Sequence, residues 1–186
     1  MATEHKHSNG ESIVTERLRL QPSTLGEIDA LLNRDPVQFE SLICASAPEP
    51  FEPPPETADA LGMFRGKLAN DPTLSPWLLR WIIDGDNRRL IGSAGFIGPP
   101  DEFSVIQMGY SVYLSDQRKG YATEAVNGLI AWAFQQADVL RIQAAVRFDN
   151  LPSKRVVTKT GFTLIGEIDT DSEGLMGLWE LFRPRG

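Results

Sequence analysis

The stretch that decides the fold is residues 105–136, VIQMGYSVYLSDQRKGYATEAVNGLIAWAFQQ. Its first ten residues include Val105, Ile106, Tyr110 and Val112. Such side chains suit a pleated, half-buried surface, so a strand is expected. From about Ala122 onward, Val126, Leu129, Ile130, Ala133 and Phe134 recur at steps of three, one, three and one. That spacing gives a helix with one buried face. Between them lies Gln117-Arg118-Lys119-Gly120-Tyr121-Ala122. Gly120 permits a backbone path that a side chain would obstruct, and Ala122 keeps the next position small. The first N–H groups of a helix have no internal partner and carry partial positive charge. A loop of this kind can therefore hold an anion such as a pyrophosphate. Read alone, the hexapeptide is equally an ordinary helix start with two solvated cations.

A second segment, Asn150-Leu151-Pro152-Ser153-Lys154-Arg155-Val156-Val157-Thr158-Lys159-Thr160-Gly161-Phe162, follows about thirty residues later. Together the two segments resemble the GNAT superfamily of acyl-CoA-dependent N-acyltransferases. The first matches its Q/R-x-x-G-x-G/A loop through Gln117, Gly120 and Ala122. The second matches its helix motif through Asn150, Ser153, Val156, Lys159, Gly161 and Phe162. The runs Thr15-Glu16-Arg17-Leu18-Arg19-Leu20 and Gly120-Tyr121-Ala122-Thr123-Glu124-Ala125 resemble the branch with the ribosomal-protein N-terminal acetyltransferases. The resemblance spans roughly residues 13–183.

Composition sets the outer limits. A chain of 186 residues is long enough for one domain with a substantial core. We expect a flexible tail over residues 1–11 and one acyltransferase domain over 12–186. The net charge of −7 argues against a nucleic-acid partner. It could favour a cationic substrate, or simply keep the protein soluble. No apolar run is long enough to span a membrane, and residues 1–12 lack a signal core. The single cysteine, Cys44, reads as a small buried residue, and the expected location is cytoplasmic. His5 and His7 have no third ligand beside them, so no metal site is expected.

Working outward, residues 13–21 read as a strand, with Leu18 and Leu20 on one face. Ser23 or Thr24 caps a helix through Asn33, and Thr57 caps another through about Asn70. Between these helices the five prolines of residues 45–56 impose an extended path. Residues 77–84 and 89–97 form a hairpin across Asp84-Gly85-Asp86-Asn87. The glycines of the second strand mark bulges or close packing. A strand over 140–147, a helix over 150–160 ended by Gly161, and strands over 162–169 and 174–183 complete the chain.

This order gives an α/β (α+β) fold with a mixed, mostly antiparallel sheet of seven strands and about four helices. The resemblance implies a single GNAT domain whose strands 4 and 5 splay into a V that takes the cofactor, acetyl-CoA. It implies that Gln117, Arg118, Lys119, Gly120, Tyr121, Ala122 and Thr123 surround the pyrophosphate. It also implies that the main chain of Tyr113 and Leu114 lies along the pantetheine. Asn150 would contact the cofactor and Ser153 would protonate the leaving thiolate, although both residue types also serve as helix caps. Glu49, Phe51 and Glu52, in the proline-rich segment, would face the acceptor. The same segment also reads as a stiff exposed loop or a domain boundary.

The implied reaction is direct attack of a primary amine on the thioester. The acceptor would be a protein N-terminus or a small amine such as an aminoglycoside, and a homodimer is plausible for the family. One departure stands out. Relatives in this branch often carry Glu two positions before the Gly-Tyr of the strand, whereas this chain has Gln107. An amide cannot accept a proton as a base. Glu102, Glu49 and Glu52 are the substitute carboxylates considered, and a non-catalytic acyl-CoA-binding module is the alternative reading.

Overall fold

Leu18 and Leu20 are buried and alternate with half-buried Arg19 and Gln21, which sets β2 (Leu18–Pro22) with one face inward. The computed structural model describes residues 11–170 and 174–184. The expected tail therefore lies outside the described residues except for Glu11, as do positions 171–173 of the last turn. The expected first strand over 13–21 is broken. β1 (Ile13–Val14) folds back antiparallel on β2, with Ile13 opposite Leu20. The break has a specific cause in Glu124, which is 109 residues from Thr15 in sequence but in direct contact with the turn. Its carboxylate accepts from Thr15 Oγ1 (2.6 Å), Arg17 N (2.8 Å) and Arg17 Nε (2.7 Å). The Arg17 guanidinium also lies over the Tyr121 ring, 4.7 Å from its centroid. Among the described residues the sheet consequently has eight strands, one more than the sequence pattern suggests.

α1 (Leu25–Leu32) starts in a capping box. Thr24 Oγ1 accepts from Glu27 N (3.3 Å), and the Glu27 carboxylate accepts from Thr24 N (2.8 Å). A helix absent from the sequence reading follows, α2 (Pro36–Ile43). Asp35 caps Gln38 N (3.0 Å) and Pro36 occupies the first turn. It ends at Cys44, which is exposed, not buried as expected, and has a left-handed backbone with φ 52°. α3 (Leu61–Asn70) is preceded by a 3-10 turn at Ala58–Ala60, and Thr57 does not cap it. The Thr57 hydroxyl turns inward to Ser93.

β3 (Leu79–Asp84) and β4 (Arg89–Phe96) form the expected hairpin. The Asp84 carboxylate holds its turn by accepting from Asp86 N and Asn87 N, both at 3.0 Å. β3 starts after a 3-10 turn at Pro72–Trp77. Gly92 and Gly95 are sites of close packing. A Cβ would lie 2.1 Å from the Ser111 carbonyl oxygen at the first and 2.2 Å from the Leu78 oxygen at the second. The remaining elements are β5 (Val105–Val112), α4 (Tyr121–Gln135), β6 (Arg141–Arg147), α5 (Leu151–Lys159), β7 (Thr163–Thr170) and β8 (Gly174–Phe182).

The strand order is β1-β2-β3-β4-β5-β6-β8-β7, and among the described strands β5 and β6 pair in parallel while the other neighbours are antiparallel. Strand alternation sends Ile106, Met108, Val112, Ile142, Ala144 and Val146 to one face. There they pack on Ala125, Val126 and Leu129 of α4 and Val157 of α5. The opposite face packs Trp81 and Ile83 against α1–α3 through Ile28, Phe39 and Phe64. Among the described residues, no helix is long and apolar enough to cross a membrane.

Replacing Glu124 by Gln should loosen the β1–β2 turn, because three donors then share a neutral acceptor. The expected loss is about 1–3 kcal/mol, read as a lower urea midpoint. An unchanged midpoint would show that the turn holds without the carboxylate.

Candidate active site

The site begins where a strand pair stops. β5 and β6 are paired at only three positions, Val105↔Arg141, Ile106↔Ile142 and Gln107↔Gln143. Beyond Gln107, β5 pairs only with β4, and beyond Gln143, β6 pairs only with β8. At the point of parting, Gln143 Nε2 donates to Glu180 Oε1 (2.8 Å), a carboxylate that also faces Arg141 Nη1 at 3.4 Å. The opening is a cavity of about 400 Å³ lined from both sheet faces. Tyr110, Val146 and Ser153 line it on the α5 side. Gln107, Ser111, Arg147, Glu56 and Thr57 line it on the α1–α3 side. Two substrates can thus approach one gap from opposite faces.

At the far end of β5, Gly120 starts α4 with φ 86°, in the left-handed region that favours glycine. No side chain caps this helix. Its first N–H groups accordingly point at the exposed loop of Arg118, Lys119 and Gly120. The two expected cations differ in environment. Lys119 Nζ is bonded to Asp116 Oδ1 (3.0 Å), a carboxylate that it shares with Arg89. Asp116 is itself buried and accepts two bonds from Arg89, at 2.7 and 2.6 Å. The Arg89 guanidinium, followed by Lys119, holds the Asp116 carboxyl down at about 2. Arg118 is exposed, and Gln117 turns back to donate to the Val112 carbonyl (3.2 Å). Tyr121, Ala122 and Thr123 form the half-buried first turn of α4.

Tyr113 N donates to the Ile91 carbonyl (3.1 Å), and the Tyr113 carbonyl accepts from Asp116 N (2.8 Å). Its phenol donates to the Glu52 carbonyl (2.7 Å), and burial pushes that phenol above its usual range. Leu114 is 81% exposed. On the opposite wall, Asn150 Oδ1 caps α5 by accepting from Ser153 N (3.0 Å). Ser153 is half-buried in the cavity wall, and its carbonyl accepts from the Tyr110 phenol (3.0 Å). Burial pushes the Tyr110 phenol up to about 12.

The proline-rich segment borders the site differently from the reading of its sequence. Phe51 packs its ring 5.5 Å from Phe39, within the core beneath α2. Glu49 and Glu52 are exposed and do not line the cavity, and neither does Glu102. The carboxylate that lines it is Glu56. Nothing in the sequence distinguishes Glu56 from the other acids of that segment. Asp116 was equally illegible, because its partner Arg89 lies far away in sequence, at the start of β4.

Comparison with known proteins agrees with this geometry. The acetyltransferase (GNAT) domain family matches residues 17–163, and the chain belongs to that family. It is 35% identical over 153 residues to the uncharacterized N-acetyltransferase YjdG of Bacillus subtilis, covering 81% of this chain and 88% of that one. Its fold is similar to that of ribosomal-protein-S5-alanine acetyltransferase from Vibrio fischeri. That match has a TM-score of 0.66 at 19% identity over 92% of this chain and 96% of the other. It is also similar to RimL, a ribosomal L7/L12 alpha-N-protein acetyltransferase solved in complex with coenzyme A. There the TM-score is 0.64 at 17% identity over 92% and 98% of the two chains.

The Asp116 cluster yields a pH-dependent expectation. Its carboxyl falls from an ordinary 3.8 to about 2 on folding. The associated stability is present above the ordinary value and is lost as pH falls through the lower one. Asp116→Asn should therefore cost on the order of 2 kcal/mol near neutrality, with the deficit shrinking as pH falls from about 4 toward 2. Urea unfolding of both proteins across that range checks it; a pH-independent difference would refute the linkage.

Proposed function

We propose that this chain transfers an acetyl group from acetyl-CoA to a primary amine by direct attack in a ternary complex. The observation that carries this reading is the gap between β5 and β6, open to both sheet faces beyond Gln107 and Gln143. The uncapped start of α4 lies at the end of β5, and the capped start of α5 lies across the gap. The coenzyme A complex of RimL, which shares the fold, supports the choice of cofactor.

In this reading the N–H groups at Gly120, Tyr121 and Ala122 bind the pyrophosphate, with Arg118 beside them. The pantetheine follows Tyr113 and Leu114 toward the gap. Asn150 fixes the first turn of α5, which brings Ser153 beside the sulfur. The amine enters from the α1–α3 side and attacks the carbonyl carbon. A C–N bond forms, the C–S bond breaks, and the thiolate takes a proton from the Ser153 hydroxyl. The protein acts by alignment and by stabilising developing charge. The acceptor is an amine carried by a protein N-terminus or a small molecule.

The test is calorimetric binding of acetyl-CoA, followed by amine-dependent release of CoA thiol. Wild-type protein should bind and release thiol with at least one class of amine. Gly120→Asp places a carboxylate against the phosphates and should abolish binding in a protein that still folds. Unchanged affinity in that variant would remove the loop from the site. Binding without amine-dependent release would favour an acyl-CoA-binding module over a transferase.

A further inference from the structure

Gln107 faces the cavity but cannot accept a proton, so the protonated amine has no base on β5. We propose that Glu56, carried by the proline-rich segment, is the general base of the transfer. This role rests on the acetyl-transfer reading above.

Glu56 is the one carboxylate lining the cavity among the described residues. Its Oε1 accepts from Asn150 Nδ2 (3.4 Å), which places the carboxylate beside the first turn of α5. The orientation of Asn150 is fixed, because its other amide atom, Oδ1, is engaged by Ser153 N (3.0 Å). Glu56 therefore stands at the same end of α5 as Ser153, joined to it through Asn150, and lines the gap on the side by which the amine enters.

The segment is built to hold it there. Glu56 has a left-handed backbone, φ 60°, which a non-glycine residue adopts at a local cost. The next residue, Thr57, is buried, and its hydroxyl lies 2.6 Å from that of buried Ser93 on β4. Thr57 N also donates to the Pro54 carbonyl (3.0 Å), and the Tyr113 phenol holds the Glu52 carbonyl. An ordinary solvent loop needs neither a buried hydroxyl pair nor a phenol to anchor it. The other titratable or charged side chains lining the cavity, among the described residues, are Tyr110 and Arg147. Arg147 is paired with Asp149 at 3.0 and 2.6 Å.

The proton balance is complete. Glu56 takes one proton from the ammonium, directly or through a water, which frees the nitrogen lone pair for attack. After attack, the nitrogen loses its second proton, which restores the Ser153 hydroxyl once that has protonated the thiolate. Glu56 returns its own proton to solvent. The products are the N-acetylated amine, CoA thiol and one released proton.

The test compares full-length wild type with Glu56→Gln and Glu56→Asp, using acetyl-CoA and an amine that supports thiol release. Gln retains an oxygen acceptor for Asn150, so a merely structural role survives that change. Glu56→Gln should bind acetyl-CoA as wild type does, while kcat falls about 100-fold or more. Its kcat/KM should then track ionisation of the amine itself as pH rises. Glu56→Asp should recover at least about tenfold over Gln, since it restores a carboxylate. A Gln variant with wild-type kcat would overturn the proposal, as would a defect confined to KM, which marks a charge contact. Failure of the wild type to bind acetyl-CoA would instead overturn the transfer reading, and this role with it.

Discussion

The proposed chemistry depends on a sheet that stops being continuous. β5 and β6 share three residue pairs and then part, so each continues with one neighbour only. Unpaired backbone groups inside a protein require a partner. A gap between two strands is therefore a demand for a ligand that can supply hydrogen bonds along its length. In the proposed reading, the amide groups of an extended pantetheine meet that demand. The surrounding structure keeps the gap from closing. Gln143 and Glu180 brace its apex, and the Tyr110 phenol ties β5 to the α5 backbone across it.

A second constraint lies at the other end of β5. Two motifs far apart in sequence, around Arg17 and around Glu124, meet in one knot of hydrogen bonds. A Cβ added at Gly120 would lie 3.3 Å from Arg17 Nη2, so the N-terminal strands back the loop that starts α4. The buried Asp116 carboxylate supports the same loop through Arg89 and Lys119. The loop is thus held by side chains from β4, from the β1–β2 turn and from α4 itself.

Much of this was legible in sequence where one physical rule dominated locally. The strand, loop and helix of residues 105–136 follow from period two, a glycine and period 3.6 in succession. The Asn150 cap and the Asp84 turn follow from local side-chain to backbone bonding. Legibility ended where a distant partner overrode the local pattern. The alternation over 13–21 promised a single strand, but Glu124 bends it. Thr57 looked like a cap, but Ser93 captures its hydroxyl. α2 was hidden by its short length, although Asp35-Pro36 is a recognisable start. In the proline-rich segment, composition gave stiffness without direction. Phe51 turns to Phe39, and Glu56 is the acid that reaches the cavity.

The charge arrangement around the α4 loop has a kinetic consequence. Asp116 is shared between Arg89 and Lys119, Glu124 is matched by Arg17, and Arg118 is exposed, so the loop keeps a local excess of positive charge on a chain of net charge −7. An anion near this loop is attracted at short range and repelled by the chain as a whole at long range. Salt screens both effects, so capture of an anion there should respond less to ionic strength than at sites built from many unpaired lysines and arginines.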